Sequence, residues 1–154
     1  MKRTGRLAED GVISLAERYF SRSRPRSGVV KGIGDDAAVV RAEAGVWLWS
    51  CDQLVEGVHF QRGWLTAAQL GRKLVDVNLS DMAAMGGRGL HGLLSAALPG
   101  DLDLRWVEDF FQSLSQEAGR YGLNILGGDT TGSPGPVMVS LSLWGLAQGQ
   151  GPVW

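Results

Sequence analysis

Val12, Ile13, Leu15, Ala16, Tyr19 and Phe20 recur at helical spacing, so the chain opens with an amphipathic helix over about residues 10–21. The stretch 21–34 is polar, rich in Arg and Gly and contains Pro25, which reads as a mobile loop. Strand-like runs follow at 37–41 and 46–52, joined by a hairpin turn at 42–45. In the second run both alternating sets are apolar, Val46 and Leu48 on one side and Trp47 and Trp49 on the other, so both faces should be covered. Thr66 is a candidate N-cap for a helix through about Leu79, with Leu70, Leu74 and Val77 facing inward. Ser80 then caps a second short helix over 81–85, placing Asp81 in its first turn, and Gly86-Gly87 ends it. Leu90 to Leu98 alternates with small residues as a buried strand. Pro99-Gly100 turns the chain, and Asp103 caps a helix with Leu104, Val107, Phe110, Phe111, Leu114 and Ala118 on one stripe. Gly122 stops it, residues 124–126 form a short strand, and 137–146 form a long final one.

That order of elements predicts an α+β fold, a mostly antiparallel sheet with helices packed on one face. Within it, five acidic positions stand beside glycines and short turns: Asp35 and Asp36 in G-I-G-D-D, Asp52 in S-C-D, Asp81 in N-L-S-D-M-A-A-M-G-G, and Asp129 in G-G-D-T-T. Each sits at a predicted element edge or in a Gly loop, where side chains can converge on one pocket. Hard divalent cations take oxygen ligands and bind through a few carboxylates plus substrate phosphates. Taken singly, each motif is also ordinary Asp-Gly turn chemistry. Together they read as a metal–phosphate site assembled from distant segments, because clustered carboxylates repel unless cations neutralise them.

The motifs G-I-G-D-D-A-A-V, S-C-D-Q-L-V-E-G-V-H-F, V-N-L-S-D-M-A-A-M-G-G and L-G-G-D-T-T resemble, in order and approximate spacing, those of bacterial thiamine-monophosphate kinases in the aminoimidazole ribonucleotide synthetase superfamily. The resemblance covers roughly residues 9–147, and the second and third motifs are the specific ones. Family members are about twice this length, so the resemblance implies an N-terminal metal- and ATP-binding and dimerisation domain over 1–147. Residues 148–154 would begin a linker to a C-terminal domain. The resemblance further implies Mg²⁺-dependent transfer of the ATP γ-phosphate to thiamine monophosphate. Asp36, Ser50, Cys51, Asp52, Asp81 and Asp129 would surround several Mg²⁺ ions. His59 would contact the substrate phosphate, and Gly127, Gly128 and Asp129 the ATP. Cys51 departs from the family, which usually has Thr there; a thiol is a poor Mg²⁺ ligand, so any contact would come from its backbone carbonyl. No catalytic general base is expected, because the attacking phosphate oxygen, with a second pKa of about 6, is largely ionised at neutral pH. The resemblance also implies a homodimer whose two sheets share a barrel, with Trp47, Trp49, Trp144 and the 90–98 strand as natural buried surface. Filling the chain's own core is the competing role for those residues. Another ATP-cleaving member of the superfamily, or a non-catalytic nucleotide-binding module, are the alternative functions.

Composition narrows these readings without changing them. The 154 residues are one domain's worth of chain, with a net charge of −1 and no basic field for nucleic acid or anionic membrane. The early arginines, Arg18, Arg22, Arg24 and Arg26, read as a solvated helix end and loop. One cysteine precludes an internal disulfide and fits a reducing, cytoplasmic setting. No apolar run approaches the roughly 20 residues that span a bilayer. His91 belongs to no motif, and neither a Walker loop, zinc spacing nor a Ser-His-Asp set is present.

Overall fold

A computed structural model describes residues 9–20, 29–31, 33, 39–40 and 45–149. The first helix, α1, spans Glu9–Phe20 and buries Val12, Leu15 and Phe20, as the spacing predicts. Two short strands, β1 (Val29–Lys31) and β2 (Val39–Val40), pair antiparallel as a separate small sheet. The main body then alternates β3 (Trp47–Val55), α2 (Ala67–Ala84), β4 (Gly87–Pro99), α3 (Leu104–Tyr121), β5 (Asn124–Ser133) and β6 (Met138–Ala147). Its four-stranded sheet runs β3-β6-β4-β5. The β3–β6 and β6–β4 pairs are antiparallel, whereas β4 and β5 are parallel because α3 carries the chain back across the sheet between them.

Three helices lie on one face of this sheet. Val139, Leu141 and Leu143 of β6 and Leu94 and Ala96 of β4 meet Leu70, Leu74 and Met82 of α2 and Val107, Phe110, Phe111 and Leu114 of α3 in one core. Both long helices start where the sequence marks them. Thr66 makes a reciprocal capping box with Gln69, and Asp103 accepts from the Arg105 N–H over 2.9 Å. Gly122 ends α3 in the left-handed conformation.

The other face is open. Cross-strand register sets Trp49, Trp144 and His91 in one row and Gln53, Ser140, Ser95 and Asp129 in another. Trp49 is 75% exposed on that face and Leu93 is 37% exposed. Among the described residues, then, the cover expected for both faces of β3 is found on one face only.

Several boundaries differ from those the sequence predicts. The 46–52 run does not pair with the preceding one; β3 is taken along its whole length by β6, from Trp47↔Leu146 to Val55↔Met138, and β2 pairs with β1 instead. The intervening residues 41–44 lie outside the described residues, and so does most of the 21–34 stretch, although β1 shows that part of it is a strand. Ser80 caps nothing, because the buried stripe Leu70, Leu74, Asn78, Met82 continues unbroken through it and α2 runs on to Ala84. The short strand expected at 124–126 extends to Ser133, because the Gly127-Gly128 segment pairs with β4 rather than looping out.

Candidate functional site

The third and second acidic motifs meet where α2 crosses β3. Ser50 donates its hydroxyl to Asp81 Oδ2 over 3.1 Å, and the Asp52 backbone N–H donates to Asn78 Oδ1 over 3.1 Å. Ser50 and Asp52 alternate with Trp49 and Cys51 along β3, so they share the helix-covered side of the sheet. Asp52 lies inside the strand rather than at its end. Asp81 lies in the last turn of α2, not the first turn of a new helix, which reverses the expected electrostatics. The C-terminal end of a helix carries the negative end of its dipole, so a carboxylate there is disfavoured until something positive joins it. The Asp81 carboxylate and the Ser50 hydroxyl, with Asp52 on the same side of β3, are oxygen groups of the kind that a hard cation accepts.

Of the other described candidates, Cys51 and Asp129 stand apart from this corner. Cys51 points its thiol across the open face, where Sγ lies 3.4 Å from Ser140 Oγ and 3.3 Å from Ser142 Oγ. Asp129 is on β5, at the far edge of the sheet from β3. Three interstrand spacings, about 14 Å, separate its register row's two ends. Among the described residues no three of His, Cys, Asp and Glu come together as a metal set. Asp35 and Asp36, with the G-I-G-D-D motif, lie outside the described residues. Gly127 and Gly128 are strand residues. A β-carbon on Gly128 would run into the Leu94 backbone carbonyl, so packing against β4 alone demands glycine there.

His59 follows β3 in a tight turn. Gly57 supplies the positive φ of 87° that the turn requires, the Gly57 N–H donates to Phe60 O, and buried Phe60 anchors the far side. The Val55 N–H donates to His59 Nδ1 over 3.0 Å, a contact that favours the tautomer with the proton on Nε2. The exposed ring thus presents a donor suited to an anion. Lys73 of α2 donates to the His59 carbonyl over 3.0 Å and ties this turn to the helix that bears Asp81.

Sequence reading missed two groups that shape this region. Glu56 accepts from Arg62 Nε over 2.6 Å and from the Val137 N–H over 3.1 Å. Burial pushes the Glu56 carboxyl up, but the Arg62 and Val137 hydrogen bonds and the Arg62 charge outweigh it and hold it below its ordinary value. Asn78 is the other. Both are polar residues amid apolar neighbours, and that contrast was the available signal.

Residues 34–147 match the AIR synthase related protein, N-terminal domain. The chain is 41% identical to the thiamine-monophosphate kinase of Escherichia coli (strain K12) over 138 residues, 88% of this chain and 41% of that one. It superposes with a TM-score of 0.77 on the thiamine-monophosphate kinase from Stenotrophomonas maltophilia K279a, at 35% identity, covering 90% of this chain and 43% of that one. A second structure, AaThiL complexed with AMPPCP and TMP, aligns with a TM-score of 0.63 at 34% identity, covering 90% and 42%. The chain thus spans less than half the length of these thiamine-monophosphate kinase homologues. By fold and sequence it belongs to the AIR synthase related family, matching its N-terminal domain.

Proposed function

We propose that this chain is the N-terminal, metal- and ATP-binding part of a cytoplasmic enzyme that transfers the γ-phosphate of ATP to thiamine monophosphate, giving thiamine diphosphate. The observation that carries this reading is the Ser50–Asp81 hydrogen bond beside Asp52, which joins the two most specific motifs at one corner. The AMPPCP and TMP bound to AaThiL supply the substrate class. Residues 1–147 form the domain, and 148–154 begin a linker.

Mg²⁺ fits this corner: its donors are oxygen, and such ions bind through one or two carboxylates plus substrate phosphates. Asp52 and Asp81 hold it, Ser50 orients Asp81, and Asp36 and Asp129 complete the set. The bound ions supply neutralisation of the charge on the exchanging phosphates. His59 donates from Nε2 to the acceptor phosphate, and Gly127 and Gly128 admit the nucleotide. No side chain takes a proton from the acceptor, which is already largely ionised. Any contact from position 51 comes from the backbone carbonyl, since the thiol faces the open side.

A second copy of the chain covers the open face. Trp49, Trp144 and Leu93 are the apolar surface it buries, and closing two four-stranded sheets into a shared barrel satisfies their edge strands. Setting β5 of one copy beside β3 of the other would also bring Asp129, from the open face, to the sheet edge that bears Ser50 and Asp52, which a single chain does not do. The test joins this chain to the C-terminal half of a relative and supplies ATP, Mg²⁺ and thiamine monophosphate. Thiamine diphosphate is the expected product. ATP cleavage with no phosphorylation of thiamine monophosphate would favour another member of the superfamily. Binding of nucleotide without any turnover would favour a non-catalytic module.

A further inference from the structure

We infer that Asn78 is a positioning residue that fixes Asp52 relative to Asp81, an inference that rests on the metal-binding reading above. Asn78 is 0% exposed on a helix stripe otherwise made of Leu70, Leu74 and Met82. An apolar side chain is the ordinary occupant of such a place, since asparagine is a weaker helix former and a buried amide must find partners. Both ends of this amide have them. Nδ2 donates to the Leu74 carbonyl one turn back over 2.8 Å, which turns Oδ1 toward the sheet, where it accepts from the Asp52 N–H over 3.1 Å.

The strand explains why that N–H needs a partner. Among the described residues β3 pairs with β6 on one side only, so alternate N–H groups face away from that ladder. Asn78 takes up one of these outward N–H groups, that of Asp52. Two rungs then join β3 to α2: Ser50 to Asp81, which is exposed, and Asp52 to Asn78, which is part-buried with its Asn78 end fully enclosed. A cation arriving at Asp81 competes with the Ser50 hydroxyl for the same carboxylate. It does not compete for Asn78, so the second rung keeps the strand and helix in register while the exposed one exchanges.

Mn²⁺ alone is the probe, titrated into the chain by electron paramagnetic resonance, with melting temperature followed in parallel. Asn78→Leu keeps the branched shape and removes the acceptor. It is expected to weaken Mn²⁺ binding by about tenfold or more, the usual scale for groups that orient metal ligands, and to lower the melting temperature as well, since the Asp52 N–H loses its acceptor. Leu114→Ala, in the core of α3, is expected to lower the melting temperature and leave Mn²⁺ affinity unchanged. If leucine is not tolerated, Asn78→Ala is read in the same way. Retained affinity in the Asn78 variant, while Asp81→Asn loses it, overturns the positioning role and leaves the metal reading standing. A wild-type chain that binds no Mn²⁺ overturns both. Amide exchange in the wild-type chain gives a check that needs no variant: the Asp52 N–H is expected to be protected despite its edge strand, and rapid exchange there overturns the inference.

Discussion

Ser50 and Asp81, thirty-one positions apart, meet in a 3.1 Å hydrogen bond that joins the middle of a strand to the last turn of a helix. The carboxylate sits at the negative end of the α2 dipole, so Asp81→Asn should stabilise the metal-free chain by about 0.3–1 kcal/mol. In the chain joined to a C-terminal half, the same substitution should cut turnover by orders of magnitude, and Asp52→Asn should do likewise. Thermal melts and product assays on both variants check the pair of effects. Wild-type turnover in the double variant would remove these residues from the site.

The stacked indoles of Trp49 and Trp144, with ring centres 5.8 Å apart and planes inclined by 22°, lie on the uncovered face with His91 tilted against Trp144. Burial of that face predicts a homodimer in sedimentation at tens of micromolar, and Trp49→Glu should give a monomer. If Asp129 completes its partner's site, mixing Asp81→Asn and Asp129→Asn versions of the chain joined to a C-terminal half should restore about a quarter of that protein's unmutated turnover, since half the dimers are mixed and each holds one intact site. No recovery would mean that each site draws both residues from one chain.

Where one physical signal dominated, the fold was legible. The α3 stripe from Leu104 to Ala118, its Asp103 cap and its Gly122 stop all stand where spacing and capping rules put them. It was not legible where two signals competed. Ser80-Asp81 resembles a helix start, yet the burial of Asn78 and Met82 carries α2 past it. Gly127-Gly128 resembles a loop, yet the parallel pairing with Leu93 and Leu94 makes it strand. Pairing partners are long-range, so β3 going to β6 rather than to its sequence neighbour could not be read from local pattern. That Ser50 meets Asp81 depends on where α2 crosses β3, and that Asp129 stands apart from them depends on strand order and on the register that sets it on the open face, both of them long-range.

Gly128→Ala separates packing from ligand contact. The added methyl meets the Leu94 carbonyl, so β4 and β5 must part, at a cost of at least about 1–3 kcal/mol. Gly132→Ala on the same strand meets nothing within 4 Å and should melt within about 0.5 kcal/mol of wild type. A Gly128→Ala chain with unchanged melting would show that the close approach is not what requires glycine.

Acid should weaken the turn that carries His59. The folded-state value of Glu56 is lowered, so its stabilising contribution is present above the ordinary carboxylate value and is lost as pH falls through the lowered one. Asp76 runs the other way. Burial and then the neighbouring Glu117 charge raise it, with Arg120 and Arg72 partly offsetting them, so its ionisation costs stability as pH rises from the ordinary carboxylate value toward the raised one. Glu56→Ala should therefore destabilise at neutral pH by about 2 kcal/mol, the scale for a hydrogen bond to a charged group, and flatten the acid limb of the stability profile. Asp76→Asn, on an exposed and solvent-screened residue, should gain no more than about 0.5 kcal/mol, and only above that range. Urea titrations from pH 3 to 7 check both signs. An acid limb unchanged by Glu56→Ala would remove the Arg62 and Val137 contacts as its source.

This chain by itself should bind Mg²⁺–nucleotide weakly and turn over little or not at all. Charge complementarity should survive in Asp81, already joined to Ser50, and in Asp52 two residues along the same strand. Rate depends instead on holding donor and acceptor phosphates in line, and positioning supplies about 7–11 kcal/mol of such a barrier. The relatives devote more than half of their length to residues beyond the part matched here, and that remainder should supply much of the clamp. The loss should therefore fall on turnover far more than on nucleotide affinity. Incubating the purified chain with ATP, Mg²⁺ and thiamine monophosphate, and comparing the thiamine diphosphate formed with that from the joined protein, measures the difference directly. Equal turnover from the two would show that the corner where β3 meets α2 aligns both phosphates without help.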